Sequence, residues 1–569
     1  MSNTSLSYRQ TSSDTPLLEE TIGDALARVA DAHPDRLALV VRHQQIRWTY
    51  KEYLEEIDKL ALGLLNLGIK SGDRVGVWAP NCVEWCLTQF ATARIGAILV
   101  CINPAYRLHE LEYALNKSQC RALVTADAFK SSDYLGMLRQ LAPELNALAD
   151  GETLHSSKLP HLQFVIRMGT ALTPGMLNFD KIRAEGAGMD SSRLDAVTAM
   201  LEANDAINIQ FTSGTTGNPK GATLTHRNIL NNAVFAGVSM RLSPDDKLCI
   251  PVPLYHCFGM VMGTLVCVAH AATAVLPGES FEARATLETI QAERCTVLHG
   301  VPTMFIAELD DPKFDSFDLS SLRTGMMAGA PCPVAVMNKV IGRMHMRDVL
   351  IAYGQTELSP ISHVTEIDDP LDKRVETVGK PGPHLETKIV DEKNQLVPIN
   401  ERGEICTRGY SVMSAYWDEP QRTAETIDGE GWLHSGDIGI MDKDGYVRVV
   451  GRIKDMIIRG GENIYPREVE EFLHTHPAIQ DVQVFGIPHE KYGEEVCAWI
   501  QLQDGTDLDE KLLREFCLEQ ITHFKIPSKI RFVREFPMTV TGKAQKFVMR
   551  EQMEAELKQE QRIQGEAPQ

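Results

Sequence analysis

The ten residues Thr212–Gly221, T-S-G-T-T-G-N-P-K-G, concentrate three glycines, four hydroxyls and one lysine. Glycines such as Gly214 and Gly217 let backbone N–H groups crowd around an anion. Thr212, Ser213, Thr215 and Thr216 add hydroxyl donors, Asn218 and Pro219 shape the turn, and Lys220 adds a full positive charge. This is the chemistry needed to hold a polyphosphate while a reaction proceeds. The order is not that of a Walker loop, because no Ser or Thr directly follows Lys220 and the glycine spacing differs. Nor is it a dinucleotide G-x-G-x-x-G. Taken alone, the run reads equally well as a polar surface turn.

Four further segments carry residues able to do chemistry. They are Gly329-Ala330-Pro331, Tyr353-Gly354-Gln355-Thr356-Glu357, Trp432-Leu433-His434-Ser435-Gly436-Asp437 and Thr541-Gly542-Lys543. Together with the first, and in this order, they resemble the adenylate-forming, AMP-binding superfamily, which includes acyl-CoA synthetases. The resemblance runs from about residue 20 to about residue 550. Ile102-Asn103-Pro104-Ala105-Tyr106 and Y-G-Q-T-E-L-S-P are similar to medium-chain fatty acyl-CoA synthetases.

The resemblance implies a two-step reaction. A carboxylate attacks the α-phosphate of ATP, giving an acyl-adenylate and diphosphate, and the thiol of coenzyme A then takes the acyl group. Two anions must meet in the first step, so the site must supply positive charge and oriented donors. By resemblance, Thr212 to Lys220 clasps the β- and γ-phosphates. Tyr353 stacks on adenine beside Gly329-Ala330-Pro331, Thr356 binds the α-phosphate, and Glu357 ligates Mg²⁺. A single carboxylate suffices, since magnesium takes its other ligands from phosphate and water. Asp437 accepts the ribose hydroxyls and Arg452 adds a second contact. Lys543 neutralises charge between carboxylate and α-phosphate. Lys454 matches the hinge on which a C-terminal domain pivots, and Arg459-Gly460-Gly461-Glu462-Asn463 would then border the coenzyme A tunnel. Thr212, His256, Glu357 and Lys543 are thus the expected catalytic residues. Each has a plainer reading when taken singly: a core tyrosine, a turn aspartate, a surface lysine.

Pro253-Leu254-Tyr255-His256-Cys257-Phe258-Gly259-Met260 should line the acyl pocket. No acid occurs there to pair with an amino group, and a buried unpaired ammonium would be costly, so an amino-acid substrate is disfavoured. His256 reads either as a gate between pocket and tunnel or as a satisfied core histidine. Met260, Val261, Met262 and Leu265 suit an acyl tail or a helix packed in the core. The expected substrate is a medium-chain fatty acid. An aryl or other acid, or a carrier-protein acceptor, stays open.

The elements that must hold these residues can also be read. The expected fold is α/β. Residues 1–453 form a large adenylation domain of parallel-rich sheets covered by helices, with a small β-rich part. Residues 454–569 form a small mobile α+β domain, with the hinge at Lys454. Leu37–Arg42, Arg74–Trp78, Ala97–Ile102 and Ala122–Thr125 read as buried strands, and helices begin at Tyr50, Val83 and Leu108. Thr49-Tyr50-Lys51-Glu52 fits a capping box. Residues 141–201 read as irregular, and Ala206–Phe211 as the strand that delivers the Thr212 loop. Asp442–Gly445 should turn a hairpin. Residues from Glu551 onward should be a frayed helix and tail.

A chain of 569 residues with 43% hydrophobic and 24% charged residues is long enough for at least two cores. The net charge of −20 disfavours nucleic acid as a partner. Twelve cysteines without C-x-x-C pairing suggest buried thiols in the cytoplasm and no zinc site. His474 and His476 read as a solvated helix end. Met260–Leu276 reads as a buried core element rather than a membrane span, and an acyl substrate leaves peripheral membrane contact open, though no basic amphipathic stretch supports it.

Overall fold

The computed structural model describes residues 5–149, 152–212, 219–330, 332–460, 462–489, 491–518, 520–539 and 542–565, with backbone alone from 558. Two large sheets form its frame. One has eight strands. Leu177–Asn178, Phe164–Arg167, Ala122–Thr125, Arg74–Trp78, Ile98–Cys101 and Ala206–Thr212 run in parallel, and Lys220–Thr225 and Ala415–Tyr416 close it antiparallel. The other has nine strands. Its parallel centre runs from Leu37–Val41 to Asp348–Gly354, with antiparallel strands at both margins.

Sequence chemistry explains the elements. Thr49 and Glu52 form the expected capping box on the helix Tyr50–Asn66, and Gly68 follows its end at φ +83°. The helix Val83–Ile95 is buried on every side, which accounts for its lack of an amphipathic stripe. One apolar cluster joins these helices to strands of both sheets, from Val75 and Leu99 to Ala274 and Leu350. The parallel α/β class is therefore as the sequence implied.

A third sheet has five antiparallel strands: Tyr8–Gln10, Leu385–Val390, Arg402–Gly409, Leu433–Met441 and Val447–Arg452. A fourth also has five, built from residues 457–532. Helix Pro466–Leu473, opened by a first-turn proline, covers it.

Four expectations need correction. Residues 141–201 are not an irregular insertion, because Phe164–Arg167 and Leu177–Asn178 extend the eight-stranded sheet. Strands of four and two residues are too short to print a period on the sequence. The C-terminal segment does not fray at Glu551 but is helical over Lys546–Gly565, anchored by buried Met549 and Met553, one turn apart. His474 and His476 are packed rather than solvated: His474 lies 3.5 Å from Asp481, and His476 meets the Phe516 ring edge-on. Met260–Leu276 is buried but splits into a helix ending at Ala269 and the strand Thr273–Leu276.

Candidate active site

The strand Asp348–Gly354 carries Tyr353 to the rim of the nine-stranded sheet, then turns sharply. Gly354 is required there, because a Cβ would meet the Pro360 carbonyl oxygen at 2.0 Å. Gln355 leads into a single 3₁₀ turn, Thr356–Leu358, which buries Thr356 and Glu357. Gly329 and Ala330 leave the neighbouring strand, Thr324–Ala328, at the same end of the sheet. This is where α/β sheets gather ligand-binding groups.

Opposite stands the edge of the third sheet. The Tyr353 hydroxyl donates to Asp437 Oδ2 at 2.7 Å, and Arg452 Nε donates to Asp437 Oδ1 at 3.1 Å. Asp437 and Arg452 are cross-strand partners in one hairpin, so the pairing register itself joins them. Asp437 lies inside the strand Leu433–Met441 rather than ahead of the hairpin, because that strand is longer than its apolar alternation shows.

Lys543 reaches the same place from the C-terminal part. A Cβ on Gly329 would lie 3.7 Å from Lys543 Cε. Thr303 Oγ1 donates to the Gly542 carbonyl at 3.3 Å, and a Cβ on Gly542 would crowd Val301 and Thr303. Burial pushes the Lys543 ammonium down to about 8, and the Arg452 charge pushes the same way against Asp437 and Glu357. His256 caps the short helix Cys257–Gly259 by accepting the Phe258 N–H at Nδ1, 3.2 Å. Burial, followed by the Lys543 charge, lowers it to about 3, so it is a neutral imidazole with its proton on Nε2.

Thr212 and Lys220 are paired at the root of the phosphate loop, where the Thr212 hydroxyl points to the Lys220 carbonyl at 3.5 Å. Pro219 accepts a hydrogen bond from Tyr113. The Lys220 ammonium sits 4.6 Å from the centre of the Tyr416 ring. Ser213, Gly214, Thr215, Thr216, Gly217, Asn218, Pro331, Gly461 and Thr541 lie outside the described residues. Lys454 sits in the 3₁₀ turn Ile453–Asp455. Burial lowers its ammonium, as do the Arg452 and Lys220 charges. Gly460 is turned elsewhere: its N–H donates to the Tyr492 carbonyl, and Arg459 lies over the Tyr492 ring.

Three residues of the neighbourhood had no sequence signal. Tyr416 donates to Glu357 Oε1 at 2.7 Å. Glu404 accepts from His434 at 2.8 Å and from the Gly436 N–H at 2.9 Å. Thr303 was hidden inside a helix. The Glu-Ile-Cys alternation at residues 404–406 was the one available hint, since it marks a strand with an acid on its polar face.

The second oxygen of Glu357 accepts no hydrogen bond among the described residues. A buried carboxylate with one oxygen unbonded among the described residues, linked through Tyr416 to Lys220, fits a hard cation such as magnesium.

Comparisons with known proteins give the family. The AMP-binding enzyme family matches residues 26–417, and the AMP-binding enzyme C-terminal domain matches residues 468–543. The medium-chain acyl-CoA ligase ACSF2 of Bos taurus is 46% identical over 557 residues, covering 97% of this chain and 90% of that one. The solved structure of the anthranilate CoA ligase AuaEII with anthranoyl-AMP superposes with a TM-score of 0.82 at 27% identity, covering 95% of this chain and 98% of that one. ATP-bound MatB of Rhodopseudomonas palustris superposes with a TM-score of 0.80 at 27% identity, covering 94% and 99%. The chain belongs to the AMP-binding enzyme family and is an acyl-CoA synthetase, an ATP-binding ligase that works through adenylation.

Proposed function

We propose that the enzyme activates a medium-chain fatty acid and transfers it to coenzyme A. A carboxylate oxygen attacks the α-phosphorus of ATP, the bond to the β-phosphate breaks, and diphosphate leaves. The coenzyme A thiolate then attacks the acyl carbon, and AMP departs with the bonding electrons.

Tyr353, with Gly329, Ala330 and Pro331, would hold the adenine, and Asp437 and Arg452 the ribose. Thr356 and Lys543 would face the α-phosphate. The loop from Thr212 through Ser213, Gly214, Thr215, Thr216, Gly217, Asn218 and Pro219 to Lys220 would hold the outer phosphates. Magnesium on Glu357, when bound, would offset phosphate charge. Neutral His256, with a donor on Nε2, would face the acid at the head of the pocket. In the transfer step the C-terminal part would turn about Lys454 and bring Gly460 and Gly461 to the coenzyme A path. We place the enzyme in the cytoplasm, a reducing compartment that suits its twelve free, buried cysteines. No helix among the described residues is long and apolar enough to cross a membrane.

The observation that carries the substrate reading is the run behind His256. Met260 to Leu265 is wholly buried and apolar but for Thr264, with no charged side chain. ACSF2 relatives bear medium-chain acyl-CoA ligase in their name, which is in keeping with this. AuaEII acts on an aromatic acid, which makes an aryl acid the competitor. Diphosphate exchange across a panel of acids separates them. Exchange and coenzyme A consumption with octanoate but not benzoate are expected. Benzoate turnover exceeding octanoate would transfer the reading to aryl acids, and exchange without any added acid would defeat both.

A further inference from the structure

Lys220 and Glu357 carry opposite charges and, on the reading above, serve the outer phosphates and the cation of magnesium-ATP. Both touch one side chain, Tyr416, and opposite charges gathered on one side chain are drawn toward a direct pair. A formed pair would have to break before phosphate and metal could enter. Among the described residues neither makes an ion pair, and Tyr416 contacts both, Glu357 through its hydroxyl and Lys220 through its ring face.

We propose that Tyr416 is a positioning residue that keeps the Lys220 ammonium and the Glu357 carboxylate apart and aimed, so that the magnesium-ATP site is formed before the nucleotide arrives. The phenol O–H donates to Glu357 Oε1 at 2.7 Å and leaves the second oxygen for the cation. The ring face holds the Lys220 ammonium 4.6 Å from its centre, an attraction that leaves the ammonium protons able to turn to phosphate. One side chain thus satisfies both groups without neutralising either.

The backbone makes Tyr416 rigid enough for this task. It ends the strand Ala415–Tyr416, where it pairs with Ala222. Lys220 is two residues from Ala222 on the same strand, so its side chain shares the face of Tyr416 as a diagonal neighbour. The Tyr416 N–H donates to Thr423 Oγ1 at 3.0 Å, and the Trp417 N–H to the Gly221 carbonyl at 2.7 Å. From the other side the Met413 N–H donates to the Glu357 carbonyl at 2.9 Å. Tyr416 is 4% exposed, so water does not compete for its hydroxyl.

The inference rests on Glu357 as the metal ligand, and calorimetric binding of magnesium-ATP, metal-free ATP and AMP tests the two separately. In the wild type, magnesium-ATP should bind tighter than ATP with chelator. If it does not, the Glu357 reading fails before any variant is made, and this proposal fails with it. Tyr416→Phe keeps the ring and deletes the hydroxyl. It should weaken magnesium-ATP about tenfold, the loss typical of one hydrogen bond to a charged group, and leave metal-free ATP and AMP within about twofold. Tyr416→Leu removes the ring as well and should weaken metal-free ATP too, with AMP again unchanged. AMP binding needs neither group and reports on folding. A parallel fall in AMP affinity would make Tyr416 merely structural and overturn the proposal, as would unchanged magnesium-ATP affinity in Tyr416→Phe. A Leu variant that matches the Phe variant would overturn the Lys220 half. Finally, Tyr416→Phe combined with Glu357→Gln should bind magnesium-ATP no worse than Glu357→Gln alone, whereas additive losses would show that the hydroxyl acts on something else.

Discussion

Lys543 holds its proton only loosely, with an ammonium lowered to about 8 by burial and by Arg452. Below that value it is charged and, on the proposed reading, would neutralise the meeting of carboxylate and phosphate. Above it, the charge is lost. Adenylation, read as kcat/KM for ATP, should therefore fall about tenfold per pH unit above about 8. With ATP bound, the phosphate charge favours the ammonium, so the matching limb in kcat should lie at higher pH. Lys543→Ala should lower adenylation by ~10²–10³ and erase that limb, while transfer from supplied acyl-adenylate stays within about twofold. Diphosphate exchange and thioester formation, measured from pH 6 to pH 10, read the two halves. A limb that survives in Lys543→Ala would assign it to another group. At this scale the sequence was informative wherever a residue type is unusual for its surroundings. Tyr353 and Asp437 belong to segments that carry the family resemblance, Arg452 was implied by that resemblance alone, and the fold joins the three by hydrogen bonds of 2.7 and 3.1 Å. Tyr416 lies in a two-residue strand too short to show any period, and Glu404 in an alternating strand where a partner-holding side chain looks like any other.

The strand Leu433–Met441 shows how an element can steady a proposed ribose-binding group, Asp437, by means of a second element. His434 donates to Glu404, whose other oxygen takes the Gly436 N–H just ahead of Asp437. Asp428 lies 3.7 Å from the far side of the ring, Cys406 is 3.4 Å from Nδ1, and the Lys388 charge opposes protonation. The Glu404 hydrogen bond leads in raising His434 above the ordinary histidine value, burial working against it. Because the folded value is raised, protonation favours the fold. The contribution is complete below roughly pH 6.5 and vanishes as pH climbs through the raised value. The melting-temperature gap between wild type and His434→Gln should thus be widest near about pH 6 and narrow as pH rises to about 9. A gap independent of pH would mean that the imidazole serves only by its shape. Element legibility follows the same physics. The long helix Tyr50–Asn66 announces both ends through Thr49, Glu52 and Gly68. The strand Tyr8–Gln10 could not be found, because its stability lies entirely in pairing with residues 386–388, far along the chain.

Across the whole molecule, the part that follows Lys454 touches the rest through polar and ring contacts rather than a shared apolar cluster. Thr303 meets Gly542 at 3.3 Å, Gln480 meets Asp310 at 3.3 Å, and Arg402 lies 3.8 Å from Glu468 and over the Tyr465 ring. The apolar residues of the fourth sheet and of the C-terminal helix form clusters of their own. The Gln480–Asp310 and Arg402–Glu468 contacts are exposed, and exposed polar contacts are weak individually, whereas Thr303–Gly542 is partly buried. On the two-step reading proposed above, this part would leave Lys543 in place for adenylation and swing away for transfer, a hinge that would turn one cleft into two sites. We place the pivot at Lys454, and Lys454→Pro tests it. The 3₁₀ turn Ile453–Asp455 suits the fixed φ of proline near −65°, so the present pose should survive. The residue ahead of a proline is pushed out of helical backbone, so Ile453 should take some strain and adenylation should drop several-fold rather than vanish. Transfer requires a new φ at the pivot and should fall by at least about a hundredfold. Single-turnover formation of acyl-adenylate, followed by chase with coenzyme A, separates the steps. Transfer at the normal rate in this variant would move the pivot to another residue.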